Sequence, residues 1–227
     1  MHRVVILQLL LLFLFSAGAA AQETSCENLP EVVVLSGEPA QIAEVCRASE
    51  LAIAFLAKYG LTPKRSIRFE FVETKIDSHG YIAYGSYDSR SDQIQLMTYA
   101  AILANAESPT MYSEPFDRGH YSGAIAHEVA HAVVQHNLQS RRLSNAAQEY
   151  LAHSVQLAVL PEARRQKIIR VIAIEPWQSG DVISEVYMAL EPGRFAVKSY
   201  LHLTTMANPQ AFVQILLHNQ WFYINVP

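Results

Sequence analysis

Three residues with chemistry stand together in the stretch "AIAHEVAHAVVQH", residues 124–136. His127, Glu128 and His131 spell H-E-x-x-H. On a helix, positions i and i+4 lie one turn apart on the same face. Two imidazoles placed so can reach one zinc ion, which accepts nitrogen ligands at about 2.0–2.1 Å. Glu128 is rotated about 100° from His127 around the axis. That puts it beside the metal, where it can take a proton from water. The same letters also fit an ordinary amphipathic helix. This helix, however, carries Ala124, Ile125, Ala126, Val129, Ala130, Ala132, Val133 and Val134 around the motif, so it should be largely buried. Two histidines and a glutamate facing a dry interior are costly without a partner, and a metal is such a partner.

A catalytic zinc site takes a third protein ligand and keeps one position open. The metzincin continuation fails, because Val134 stands at its glycine and Asn137 at its last histidine. His136 points about 140° away from His131 on a continued helix, and is read as a surface or helix-end histidine. Glu149, in "AAQEYLAHS", stands 18 residues after His131 on the next expected helix.

On these residues the chain resembles the zincin superfamily of metallopeptidases, gluzincin branch. Those families carry H-E-x-x-H and a glutamate roughly 18–20 residues beyond the second histidine. The resemblance implies that His127, His131 and Glu149 hold one Zn2+ and that Glu128 is the general base. It extends to "GYIAYGSYDSRSDQIQLMTY", similar to the hairpin whose edge strand pairs with substrate, and to "GRFAVKSYLHLTTMANPQAFVQILLHN", similar to two C-terminal helices. It is close over residues 120–155, looser over 65–100 and 190–220, and absent from the first 60. Gln148-Glu149 replaces the common Asn-Glu, and His153 replaces an aspartate that orients a ligand histidine in thermolysin-like sites. His153 is then an orienting partner, an alternative ligand or a plain helix histidine. The implied mechanism also needs a group that stabilises the transition state. Tyr187, Tyr200, His202 and His218 are available; Tyr200 and His202 are preferred, because "KSYLHL" should pass the site. Tyr112, His120 and Tyr121 are read as packing in the loop before the helix.

The elements that must position these residues come next. Glu38–Leu61 reads as a helix with Gly60 as its stop. "SIRFEFVE" alternates, with Ile67, Phe69 and Phe71 on one face; "GYIAYGSYD" and "DQIQLMTY" follow as an antiparallel hairpin. Asn105–Gly123 reads as a polar loop. Everything after it reads as helical, with Ser144 as an N-cap, Pro161 as a stop and Pro209 in a first turn. "QWFYINVP" reads as core or terminal packing. Strands first and helices after predict an α+β fold. It consists of an N-terminal helix, a small antiparallel or mixed sheet over about 62–100, and a mostly helical part over about 119–220. By the resemblance it is zincin-like.

The chain has 227 residues. "MHR", an apolar run and "AGAAAQ" give residues 1–21 the pattern of a secretory signal peptide. Residues 22–227 are then one domain, exported to a periplasmic or extracellular space. Losing Arg3 leaves 16 Lys and Arg against 21 Asp and Glu, a net charge near −5. With no basic run, nucleic acid is excluded as a partner. No later apolar stretch is long enough for a membrane span. Cys26 and Cys46, an even pair in an exported chain, are expected to form a disulfide. The predicted function is a secreted zinc metallopeptidase acting on a peptide or protein substrate. The alternative is an exported zinc-binding module of zincin fold without significant peptidase activity.

Overall fold

The computed structural model describes residues 23–78, 81–105, 108–138 and 143–227; the expected signal peptide, residues 1–21, lies outside them. Two strands precede the first helix, β1 (Thr24–Cys26) and β2 (Leu29–Val34). The sequence reading did not include them. "LPEVVV" ends in a short unbroken apolar run, which periodicity alone does not assign. Its Val32 and Val34 are fully buried. Helix α1 (Pro39–Ala57) starts with Pro39 in its first turn and reciprocal bonds between Glu38 and Gln41, a capping box. It ends where Gly60 takes a φ of 80°, a conformation that glycine adopts without steric cost. The Leu61 N–H then donates to the Leu56 carbonyl at 3.2 Å.

The chain continues as β3 (Ile67–Val72), β4 (Ile76–Ser78), β5 (Tyr81–Ala83), β6 (Gly85–Asp88) and β7 (Gln93–Met97). The main sheet has the order β1-β2-β3-β7-β6. β2, β3 and β7 are parallel, and β1 and β6 join antiparallel at the two edges. The sheet is therefore mixed, and α1 is the crossover that parallel β2 and β3 require. The expected hairpin is formed only by β6–β7, in register from Gly85 opposite Leu96 to Asp88 opposite Gln93; the earlier part of "GYIAYGSYD", β5, pairs antiparallel with β4 instead.

Helix α2 (Tyr99–Asn105), the two short strands β8 (Thr110–Met111) and β9 (Glu114–Pro115), and α3 (Arg118–His136) follow. The expected loop to Gly123 is corrected here, because α3 begins at Arg118. Asp117 caps it by accepting the His120 N–H at 3.1 Å. Next come α4 (Asn145–Ala158), α5 (Glu162–Ile172), β10 (Val182–Ser184), α6 (Glu185–Leu190), α7 (Pro192–Thr205), α8 (Pro209–His218) and β11 (Tyr223–Asn225). Ser144 caps α4, its Oγ accepting the Ala147 N–H at 3.1 Å. Gly119 and Gly123 read as loop residues but are helical. A Cβ at Gly123 would stand 3.3 Å from both Cγ and the carbonyl oxygen of Gln156, so this glycine lets α3 close on α4.

The wholly helical C-terminal half is also corrected. "GDVISEVYMAL" divides into β10 and a short α6, and β10 pairs antiparallel with β11, Ile183 opposite Ile224. The aromatic tail is only partly packing: Trp221 and Phe222 are 70% and 77% exposed, while Ile224 and Val226 are buried.

The core lies between the sheet and the helices α1 and α3. Val34, Phe69, Ile94 and Leu96 meet Val45, Leu56, Ile125, Val129 and Val133. Each large aliphatic side chain removed from water stabilises the fold by about 1.5–3 kcal/mol. α4 packs on α3, and α7 packs on α4. The Cys26–Cys46 disulfide ties β1 to α1, with Cα atoms 5.5 Å apart. Among the described residues no helix is long and apolar enough to cross a membrane.

Candidate metal centre

The helical period brings His127 and His131 onto one face of α3, with their Nε2 atoms 3.0 Å apart. Glu149, in the second turn of α4, faces both rings. Its Oε2 lies 3.3 Å from His127 Nε2 and its Oε1 lies 3.5 Å from His131 Nε2. Two donors held about 2.0–2.1 Å from one centre at a tetrahedral angle are about 3.3–3.4 Å apart. The three separations bracket that value. These donor atoms also repel one another unless a proton or cation sits among them. The donor set, two imidazole nitrogens and a carboxylate oxygen, fits zinc. The three side chains keep 13–19% exposure, so none of them is sealed from solvent.

Burial would raise the Glu149 carboxyl, but the imidazoles of His131, His127 and His153 outweigh it and hold it well below the usual carboxylate range. Burial pushes His131 down to about 4. Burial also opposes a charge on His127, but Glu149 more than compensates and raises it. A metal ion would compete with the proton on His127, because a ligating imidazole nitrogen must be deprotonated.

Glu128 is not among the converging donors. It is buried, 8% exposed, and points from α3 toward β6. Burial pushes its carboxyl up to about 7, against the opposing pull of His127 and the Tyr87 backbone amide. Gly85 makes room for it: a Cβ there would stand 2.6 Å from Glu128 Cγ.

Gln156, two turns after Glu149 on α4, was not singled out by the sequence. His127 Nδ1 donates to its Oε1 at 3.2 Å, the kind of partner that fixes a ligand histidine's ring and tautomer. His153 lies beside the set, its Nε2 3.6 Å from Glu149 Oε2.

Other expected residues sit elsewhere. His136 does end α3 but is not on the surface. It is buried, its Nδ1 accepting from the Lys64 N–H at 3.2 Å and its Nε2 donating to Asp92 at 3.0 Å. Asp92 also takes Arg65 Nε and the Tyr87 hydroxyl, each at 2.6 Å. Arg65 first, then Tyr87 and His136, hold its carboxyl well below the ordinary range despite burial. This knot ties the β6–β7 turn to the end of α3. Tyr200 and His202 have partners away from the donor set. His202 Nδ1 is 2.8 Å from the Tyr150 hydroxyl and its ring meets Phe212, while Tyr200 lies under Arg165. Tyr187 packs edge-on against Trp177, and His218 bonds the Gln214 carbonyl of its own helix. Tyr112 lies in the β8–β9 turn at a φ of 55°. His120 and Tyr121 belong to the first turn of α3; His120 stacks on Phe116 and the Tyr121 hydroxyl donates to the Met97 carbonyl at 2.9 Å.

The fold and site together define an α+β protein with a mixed five-stranded sheet and a buried-rim His–His–Glu group able to hold a metal ion. The chain belongs to the DUF6639 family, a family of unknown function, whose model matches residues 32–226. No curated protein and no solved structure matches it.

Proposed function

We propose that the protein is an exported zinc-dependent metallopeptidase of zincin type, in which His127, His131 and Glu149 hold one Zn2+ and Glu128 is the general base. The observation that carries this reading is the meeting of donor groups from three residues on two helices at 3.0–3.5 Å, with a second carboxylate, Glu128, held just outside them. Zinc bound there supplies Lewis acidity to the scissile carbonyl and makes water a usable nucleophile near neutral pH. Glu128 takes a proton from that water and passes it to the leaving amine as the C–N bond breaks. Its burial against β6 suits this work, because a carboxyl titrating near neutrality both accepts and returns a proton. β6 is a sheet edge, and an edge offers unpaired backbone groups to an extended peptide. A cleft of about 700 Å³ lies between β6 and the start of α4, lined by Tyr87, Gln135, Gln148, Glu185 and Phe222 among others. The disulfide supports an oxidising, exported setting.

His153, beside Glu149, favours a second reading. A metal surrounded by protein donors alone is the pattern of a structural site, and the protein would then be an exported zinc-binding module. Glu128→Gln separates the two. The peptidase reading expects zinc and fold retained and hydrolysis of a peptide library lost. Equal hydrolysis by both proteins, or none by either, defeats it.

A further inference from the structure

His153 and Gln156 carry a deeper statement about the same centre, one that rests on the metal reading above. His153 stands one turn after Glu149 on α4, on the same face, with its Nε2 3.6 Å from Glu149 Oε2. Its ring meets the His127 ring edge to face, with centroids 4.8 Å apart. Gln156 Oε1 lies 3.2 Å from His127 Nδ1 and 3.0 Å from His153 Nδ1.

These contacts constrain one another. His127 ligates through Nε2 only with its proton on Nδ1. That proton needs an acceptor, so Gln156 turns its oxygen to the ring. Its amide nitrogen then faces Met111 Sδ at 3.1 Å, a weak acceptor. The same oxygen faces His153 Nδ1, so that nitrogen must also donate. A neutral His153 therefore carries its lone pair on Nε2, the atom turned toward Glu149. His153 lies outside the three groups whose ligand atoms already converge; we infer that its ring closes on the bound ion as a fourth protein ligand, and that the Gln156 carbonyl sets its tautomer together with that of His127. The centre is then built from three imidazole nitrogens and a carboxylate oxygen. Water would have to join such a centre as a fifth donor, an expansion that zinc tolerates.

The test is X-ray absorption at the zinc edge of the full chain loaded with one equivalent of zinc, with zinc affinity measured against a chromophoric chelator. Three imidazoles per zinc are expected in the wild type and two in His153→Phe, with affinity lower by at least about 10-fold. Gln156→Leu, which removes the shared acceptor, is expected to lower affinity about 10–100-fold. Two imidazoles in the wild type overturn the inference while leaving the metal reading standing; His153 then carries both protons and donates to Glu149. Unchanged affinity and spectrum in His153→Phe overturn it equally. A wild type that binds no zinc overturns the metal reading and this inference with it. If a variant does not fold, as judged by circular dichroism, the wild-type imidazole count decides alone.

Discussion

Glu128 occupies space that only a glycine at position 85 leaves open: a Cβ on Gly85 would stand 2.6 Å from the Glu128 Cγ and 3.0 Å from its Cδ. The edge strand and the acid beside the metal centre are therefore fitted to each other across one missing methyl group. Gly85→Ala must push the carboxylate aside or part α3 from β6. Misplacing a reacting group by about 1 Å costs on the order of 100-fold in rate. Gly85→Ala is expected to keep its zinc and lose hydrolysis by that order. Metal content and turnover measured side by side check it, and unimpaired turnover counts against Glu128 as the base.

Zinc should stabilise the folded chain, because the unfolded one lacks the convergent donors. A ligand present at 1,000 times its Kd adds about 4 kcal/mol. Thermal unfolding with excess zinc and with a chelator is expected to give a clearly higher Tm with the metal. In Glu149→Ala that difference should shrink sharply, since one of the three meeting donors is gone.

The Cys26–Cys46 bridge closes a loop across 20 positions of chain. A loop of that size corresponds to about 3 kcal/mol of stability. The double variant Cys26→Ser/Cys46→Ser should show a urea midpoint lowered accordingly. It should still bind one zinc, because the bridge joins β1 to α1 and touches neither α3 nor α4. Loss of zinc binding in the folded double variant would contradict that separation.

Acid should weaken the fold through His202. Burial first, then Lys198, pushes this imidazole down to about 4, against about 6.5 in an unfolded chain. The folded value is the lower one, so the contribution is complete above pH 6.5 and is lost as pH falls toward 4. The total is at most about 3 kcal/mol. His202→Gln keeps a polar partner for Tyr150 and removes the titration. Denaturant midpoints measured from pH 7 to pH 4 should fall less steeply in the variant; identical slopes would remove His202 as the cause.

What the sequence made legible was whatever repeats at a fixed period or ends on a marked residue. His127 and His131 are one turn apart, so their shared face follows from the helix alone. Ser144 announced α4, and the alternation in residues 67–71 announced β3. Glu149 was placed by family resemblance, because nothing local tells a glutamate which helix it will face. Gln156 had no signal at all; its role exists only because Gly123 lets α3 approach α4 there. The glycines at 119 and 123 misled the reading of Asn105–Gly123 as loop, since a glycine that ends an element and a glycine that admits a neighbour look alike in one dimension. β10 and β11 were missed because each is three residues long and its partner lies some 40 positions away.

The approach of α3 to α4 at Gly123 also fixes when the chain would become able to load a metal. An unfolded chain, or α3 formed alone, offers only the His127–His131 pair. Glu149, His153 and Gln156 arrive together, and only after the two helices have seated against each other. Metal capture then reports completed tertiary assembly, not the presence of a helix. Under the proposed export and metal binding, helix docking would come before metal uptake, and the ion would be taken up in the compartment where the chain folds.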